Sequence, residues 1–402
     1  MRVVIAPDKF KGSLSAAEVC RHLEKGLQSA VGTAGPGSLE VLRIPVADGG
    51  EGTLDAAVGS GFTRQGATVS GPTGQLLRAD FAVRGHEAVI EMAGASGLAV
   101  LPQVMSGGVP DSATATTATS LGTGLLIAAA LDAGCRRIIL GVGGSASTDG
   151  GAGLLQGLGA RLLDAGGNEL PAGGLALADL AVIDLSRFDT RLKEVRFVLA
   201  SDVDNPLLGA GGAAAVFGPQ KGATPADVQA MDAALAHFVD VLAGEIGPRA
   251  VKAAEAPGAG AAGGVGYAAI AVLAATRRPG IDVVLEFTGL ADRLAGVDLV
   301  ITGEGSLDEQ SLLGKTPMGV ARAAADAEVP VIAVCGRTTL GREELMDAGF
   351  QDVYALTELE SNVDTCMAEA GQLLEQLGTQ IGGRLAANRL ARTADTKEDL
   401  HV

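Results

Sequence analysis

Short apolar runs that end in glycine or aspartate recur along this chain, and stretches with helical spacing separate them. "RVVIA" (2–6) reads as a β-branched strand, followed by the polar loop "PDKFKGSL". In "SAAEVCRHLEKGLQSA" (15–30), Val19, Leu23 and Leu27 recur at helical spacing, and Ser15 and Glu18 form a capping-box pattern. A loop is expected at 32–38, then a strand in "LEVLRIPVADGGEGT" (39–53) that runs into a Gly-rich turn, then a helix at 54–61. "EAVIEMAGASGL" (87–98) is another strand and turn. Residues 116–135 read as a helix, "RRIILGVGG" (136–144) as a strand, and "LLQGLGARLL" (154–163) as the helix after the turn "GVGGSASTDGGAG" (141–153).

The same alternation continues to the end. "EVRFVLASDVDNPLLG" (194–209) is a strand with a polar loop, and Thr224 and Pro225 cap and open a helix reaching about residue 247. Residues 257–280 read as a Gly-rich entry to a small-residue helix. "VDLVITGEGSLDEQS" (297–311) is a strand and loop, and Thr316 and Pro317 open a helix. Strand, helix and strand follow at 329–336, 342–349 and 352–357, then a long closing helix at 363–391; residues 393–402 are expected to be a disordered tail. Helices alternating with strands predict an α/β protein, and 402 residues suggest about two to three domains.

Composition sharpens this picture. Hydrophobic residues make up 47% of the chain, aromatics only 3%, and there is no Trp, so Ala, Val, Leu and Ile must build the core. A net charge of −17 argues against nucleic-acid binding, which relies on Lys and Arg to neutralise phosphates. The four cysteines and four histidines are scattered, which suggests buried thiols in a reducing compartment and no zinc site. No apolar run has the length of a membrane helix, and "MRVVIAPDKF" lacks the features of a signal peptide, so a cytoplasmic protein without membrane partners is expected.

Candidate chemistry gathers where strands end, the edge at which open α/β sheets bind ligands. Lys9 and Lys11 lie between a strand and a helix start, a setting that favours a carboxylate or phosphate. Asp48 and Glu51 flank Gly49 and Gly50; carboxylates there could accept substrate hydroxyls, hold Mg²⁺, serve as general base or cap a turn. Gly141, Gly143 and Ala146 fit a weak dinucleotide fingerprint, but "STDGG" interrupts it, and Asp149 could face magnesium or serve the turn itself. A second glycine run at 257–263 follows helical sequence rather than a strand and is discounted. Asp202, Asp204 and Asn205 follow a strand, and Lys221 sits in a Gly-Pro loop. Glu304 and Asp308 follow another strand, and Lys315 precedes a helix; "GKT" fails as a Walker motif because Glu309 stands where its first glycine is needed. Glycine turns, paired carboxylates and loop lysines, without a nucleophile elbow, point to phosphoryl transfer. A dinucleotide-dependent hydroxy-acid oxidoreductase and a non-enzymatic nucleotide or metabolite sensor are the rival readings.

Taken together, "VVIAPDKFKGSLSAAEV", "PVADGGEGT", "AVIEMAGASGL", "GVGGSASTDGGAG", "SDVDNPLLG", "VFGPQKGA", "PGAGAAGGVGY" and "LVITGEGSLDEQSLLGK" resemble, in this order, the glycerate kinase family that includes bacterial glycerate 2-kinases. The resemblance runs from the first strand to about Arg392. It implies phosphorylation of D-glycerate by ATP with Mg²⁺, 2-phosphoglycerate being favoured as product, and it leaves room for a homodimer. It also implies two α/β domains with the active site in the cleft between them: a discontinuous flavodoxin-like domain (1–75 plus 285–392) and an inserted α/β domain with a mixed sheet (76–284). Within that frame Lys9, Lys11, Gly49, Gly50 and Glu51 are expected to bind substrate, Lys11 at its carboxylate or a phosphate. Asp48 or Asp202 is expected to act as base. Gly143, Gly144, Ser145, Asp149, Lys221 and Lys315 are expected around the nucleotide phosphates, and Asp202, Glu304 and Asp308 around the metal. Lys9 stands where many members carry Ser, and "ATATTATSLGTG" (113–124) departs from a Thr-Thr-Tyr-Gly-Thr-Gly run, which leaves roles for Thr116 and Thr117 open.

Overall fold

The computed structural model describes residues 1–31, 38–312 and 314–398, with side chains as far as 387; most of the loop expected at 32–38 lies outside them. In chain order the strands are β1 Arg2–Pro7, β2 Glu40–Arg43, β3 Thr63–Ser70, β4 Leu76–Arg84, β5 Glu87–Glu91, β6 Arg137–Gly141 and β7 Arg161–Leu163. They continue with β8 Val182–Asp184, β9 Arg196–Ala200, β10 Thr276–Arg278, β11 Leu299–Leu307, β12 Val331–Thr338 and β13 Asp352–Ala355. The chain divides into two compact units, Met1–Ala47 with Val284–Val402, and Asp48–Val283.

The first unit carries a parallel sheet in the order β2-β1-β11-β12-β13. This is the flavodoxin-like doubly wound order. Its inner strands are apolar runs buried on both faces, as a covered parallel sheet requires. Val3, Ile5, Ile301 and Val334 join a core with Val19, Leu23 and Leu27 of helix Ala16–Val31. Leu373, Leu374 and Leu377 of helix Ala370–Glu398 complete it. The helical backbone runs to Glu398, through part of the stretch expected to be disordered; 399–402 lie outside the described residues.

The second unit carries a six-stranded mixed sheet, β10-β9-β6-β5-β4-β3, whose first four strands are parallel and last two antiparallel. Residues 48–75, expected in the first domain, belong here. The reason is β3, which pairs with β4 along its whole length, from Thr63↔Val83 to Ser70↔Leu76. "TRQGATVS" is mostly exposed and carries no apolar run, so hydrophobic patterning does not reveal it.

Two helices are shorter than their patterns suggest. The helix expected at 154–163 is Ala152–Gly157, and its expected second half is β7, paired antiparallel with β8. The helix expected at 116–135 is split into Ser112–Thr117 and Leu121–Asp132, with a break where Ser120 bonds to a buried aspartate described below. All four cysteines are free and buried. Among the described residues no helix is long and apolar enough to cross a membrane.

Leu374 is fully buried against the first sheet and both long helices of that unit. Leu374→Ala should cost about 2–5 kcal/mol, from lost transfer energy and the cavity left behind. Thermal or denaturant unfolding checks it.

Candidate active site

In the second unit, the turns that follow β6 and β9 line a pocket of about 230 Å³. Its wall includes Asp48, Gly50, Gly143, Ser145, Asp202 and Gln220. Backbone meets backbone beneath it. A Cβ on Gly143 would stand 2.7 Å from Gly50 Cα, and one on Gly280 would stand 1.8 Å from the Asp48 carbonyl oxygen. Only glycine permits such approaches. Gly49 and Gly144 also line the pocket, while Glu51 is exposed and is not part of this wall.

Two carboxylates belong to this pocket. Asp48 Oδ1 accepts from Gly50 N–H at 3.1 Å, and Asp202 Oδ1 accepts from Gly280 N–H at 2.7 Å. The Asp202 side chain is open to water yet crowded by protein around it. That crowding pushes its carboxyl up to about 6; the Gly280 N–H opposes the shift, and Asp48 adds to it.

Asp149 and Lys221, expected at the nucleotide phosphates, sit behind the turn instead. Asp149 is fully buried and accepts from the Ser120 N–H and hydroxyl, both at 2.8 Å. It also accepts from the N–H groups of Gly151 and Gly153 at 3.1 and 3.2 Å. Of its two expected roles, it fills that of turn support. Lys221 is 1% exposed. It donates to Ser145 Oγ at 2.9 Å, to the Ser147 carbonyl, and to Thr148 Oγ1 at 3.5 Å. Burial pushes its ammonium down to about 7, and Asp149 opposes that shift.

The glycine run discounted in sequence contributes to the same wall. Ala261 and Ala262 line the pocket, and Ala262 is held at φ 54° in the left-handed region. Such a conformation costs a non-glycine residue about 1 kcal/mol or more and tends to occur at functional sites. The signal was the cluster of small residues itself, which allows close approach; the missing strand before it argued only against a dinucleotide turn.

In the first unit, a second polar cluster lies at the topological switch point. β1 pairs with β11 as far as Pro7↔Gly303, and β11 then continues along β12 alone. Asp8 and Glu304 follow at this fork. Asp8, which sequence reasoning did not single out, is buried. It accepts from Lys9 N–H at 2.6 Å and from the Thr316 hydroxyl at 2.8 Å. An aspartate immediately after an apolar strand was the available signal. Glu304 Oε1 is buried and has no hydrogen-bond partner. Burial pushes its carboxyl up to about 7, with Ser311 and Lys315 pulling down and Asp8 and Asp308 pushing up. Asp308 Oδ1 accepts from the Gln310 and Ser311 N–H groups at 3.0 and 3.2 Å, which ties it into its own turn. Lys315 is half-buried, with Nζ 3.4 Å from Gln310 Oε1. Lys9 lies 3.9 Å from Asp8, and Lys11 is exposed. Thr116 and Thr117 donate back to the carbonyls of their own short helix.

The family model of the glycerate kinase family matches residues 3–386. The chain belongs to the glycerate kinase family. It is 42% identical to a glycerate kinase of Bacillus subtilis, over 98% of this chain and 99% of that one. It is 44% identical to a glycerate 2-kinase of Escherichia coli K12, over 96% and 98%. A crystal structure from Salmonella typhimurium LT2, described as glycerate kinase 2, superposes with a TM-score of 0.81 at 40% identity, covering 97% of this chain and 99% of that one.

A glycerate-kinase site need not contain a dinucleotide turn, and this one does not. The helix after β6 starts only at Ala152, well beyond the fingerprint glycines, and its start is held by Asp149. Among the described residues no three His, Cys, Asp or Glu side chains gather into a metal cage. Magnesium needs no such cage, because it binds through one or two carboxylates and substrate phosphates. The unpartnered Glu304 oxygen of the first unit is compatible with such a donor.

Asp149→Ala would strand four buried donor contacts. A loss of about 3–5 kcal/mol is expected, as when a buried charge partner is removed. Chemical denaturation of the purified variant reads it; a loss within about 0.5 kcal/mol, the size usual for a surface change, would contradict this role.

Proposed function

We propose that this protein transfers the γ-phosphoryl group of ATP to a hydroxyl of D-glycerate, giving 2-phosphoglycerate and ADP. The observation that carries the reading is the pairing of Asp48 and Asp202 in one glycine-walled pocket of a chain that matches glycerate kinases along nearly its whole length.

Phosphoryl transfer asks a protein chiefly to position groups and neutralise charge. The turn at Gly143, Gly144 and Ser145 offers backbone N–H groups and a hydroxyl to nucleotide phosphate, with no side chain in the way at the two glycines. Asp202 acts as the proton acceptor, because a base raised toward neutrality takes a hydroxyl proton readily. Asp48 orients that hydroxyl. In the first unit, Lys9, Lys11 and Lys315 supply positive charge for a carboxylate or phosphate group. Magnesium, when bound, would neutralise phosphate charge, and in the first unit Glu304, whose Oε1 has no partner, would hold it. Asp308 is committed to its own turn and contributes less.

Incubation with ATP, Mg²⁺ and D-glycerate should release ADP only when glycerate is present, and NMR of the product should show phosphate on carbon 2. A signal for phosphate on carbon 3 would refute the regiochemistry alone; absence of glycerate-dependent ADP would refute the kinase reading.

Asp48→Asn and Asp202→Asn should each lower kcat at least about a hundredfold, in the range of general-base removal, with little change in melting temperature. The acid limb of kcat/KM should fall below about pH 6, where Asp202 takes up a proton. Wild-type rates in both variants would remove them from the reaction.

A further inference from the structure

Lys221 is the largest charged side chain that the second unit buries completely, and the phosphate-transfer scheme above gives it no direct contact. It follows Gln220, which lines the pocket, within the single turn Pro219–Lys221. The chain thus presents one side chain to the pocket and sends the next beneath the glycine turn.

The hydrogen-bond count around its ammonium is informative. A lysine ammonium has three donors and no acceptor. Three acceptors surround Nζ: Ser145 Oγ at 2.9 Å, the Ser147 carbonyl, and Thr148 Oγ1 at 3.5 Å. No donor remains for a phosphate. The bond to Ser145 can run in one direction only, with the ammonium donating and the hydroxyl oxygen accepting. The Ser145 hydroxyl hydrogen is therefore free to point elsewhere. Ser145 lines the pocket and has no other side-chain partner among the described residues.

We propose that Lys221 is a positioning residue that fixes the polarity of the Ser145 hydroxyl, so that Ser145 always offers its hydrogen to an anionic oxygen in the pocket. This rests on the kinase reading, in which that oxygen belongs to a nucleotide phosphate. A serine left to itself rotates and can present lone pairs to the incoming anion. With its oxygen bonded to a cation, it becomes a pre-set donor, and its O–H is polarised by the adjacent positive charge. The ammonium acts through Ser145 without meeting the ligand. Asp149 is the charged group that acts on Lys221, and it is held by Ser120, Gly151 and Gly153. Loss of the lysine proton would allow the bond to reverse, with Ser145 donating to the neutral amine and turning its lone pairs toward the pocket.

The test is a double-mutant cycle on the full-length protein, reading the Kd of MgADP by calorimetry and KM for ATP, with melting temperature as a check on folding. Ser145→Ala and Lys221→Met should each weaken MgADP binding by about tenfold or more, the scale of one charge-assisted hydrogen bond. The double variant should be no weaker than the weaker single one, because the lysine has nothing to orient once the hydroxyl is gone. Ser145→Thr, which keeps the hydroxyl, should recover part of the affinity that Ser145→Ala loses. Effects that multiply in the double variant would overturn the proposal, since a purely structural lysine or one touching phosphate would still matter without Ser145.

A second measurement does not depend on any Lys221 variant folding. The advantage of wild type over Ser145→Ala in MgADP affinity should shrink as pH rises from below to above about 7, where Lys221 loses its proton. A constant ratio would overturn the proposal. Wild-type binding and glycerate-dependent turnover with a multiplicative cycle would refute only the role of Lys221. No nucleotide binding by the wild type would refute the kinase reading and this role with it.

Discussion

The pocket of the second unit depends on backbone approaching backbone closer than any side chain allows. The Asp48 turn lies against Gly280 on one side and against Gly143 on the other, at separations that a Cβ would close. This contact sets where Asp48 and Asp202 stand, because Gly280 N–H is also the donor that fixes Asp202. A larger residue at Gly280 would separate the walls and move both carboxylates together. Chemistry and packing are therefore coupled through residues that carry no functional group.

Behind those walls lies a buried polar layer. Asp149 gathers donors from Ser120, Gly151 and Gly153, and Lys221 gathers acceptors from Ser145, Ser147 and Thr148. Both charges are buried, which is tolerable only because each is multiply hydrogen-bonded. The layer holds a glycine-rich segment that has little conformational preference of its own. Ordering a loop of this composition costs much conformational entropy, which these bonds offset. Conserving its shape through buried charges rather than through bulky side chains keeps the pocket surface open.

The first unit solves a different problem with a different device. Its sheet order places a fork between β1 and β11, and the strand ends at that fork carry Asp8 and Glu304. Two carboxylates this close to half-buried lysines make a place where charge is balanced locally, within a protein whose overall charge is strongly negative. Glu304 keeps an oxygen without a partner, a cost that a stable scaffold would normally remove.

Much of this was legible in the residues. Apolar runs located β1, β11 and β12 of the first sheet and β5, β6 and β9 of the second, though not the inner strand β4, and the motif series located the family and the loops that carry chemistry. Asp48, Gly143, Ser145 and Asp202 are spread over more than 150 positions yet line one pocket, and each was marked by its place at a strand end. What the sequence could not settle is direction and depth. Lys221 and Asp149 have the residue types of a phosphate site, but they are buried beneath it: Lys221 follows pocket-lining Gln220 within the turn 219–221 yet turns inward, and Asp149 is drawn inward by Ser120, Gly151 and Gly153. Strand β3 was invisible because its exposed face gives it no apolar periodicity; pairing with β4 alone defines it. Sequence by itself determined the family, the α/β class and the small-residue turns, since these follow from local pattern and composition. Tertiary structure decided which charged groups face the pocket and which support it, since that depends on contacts between segments far apart in the chain.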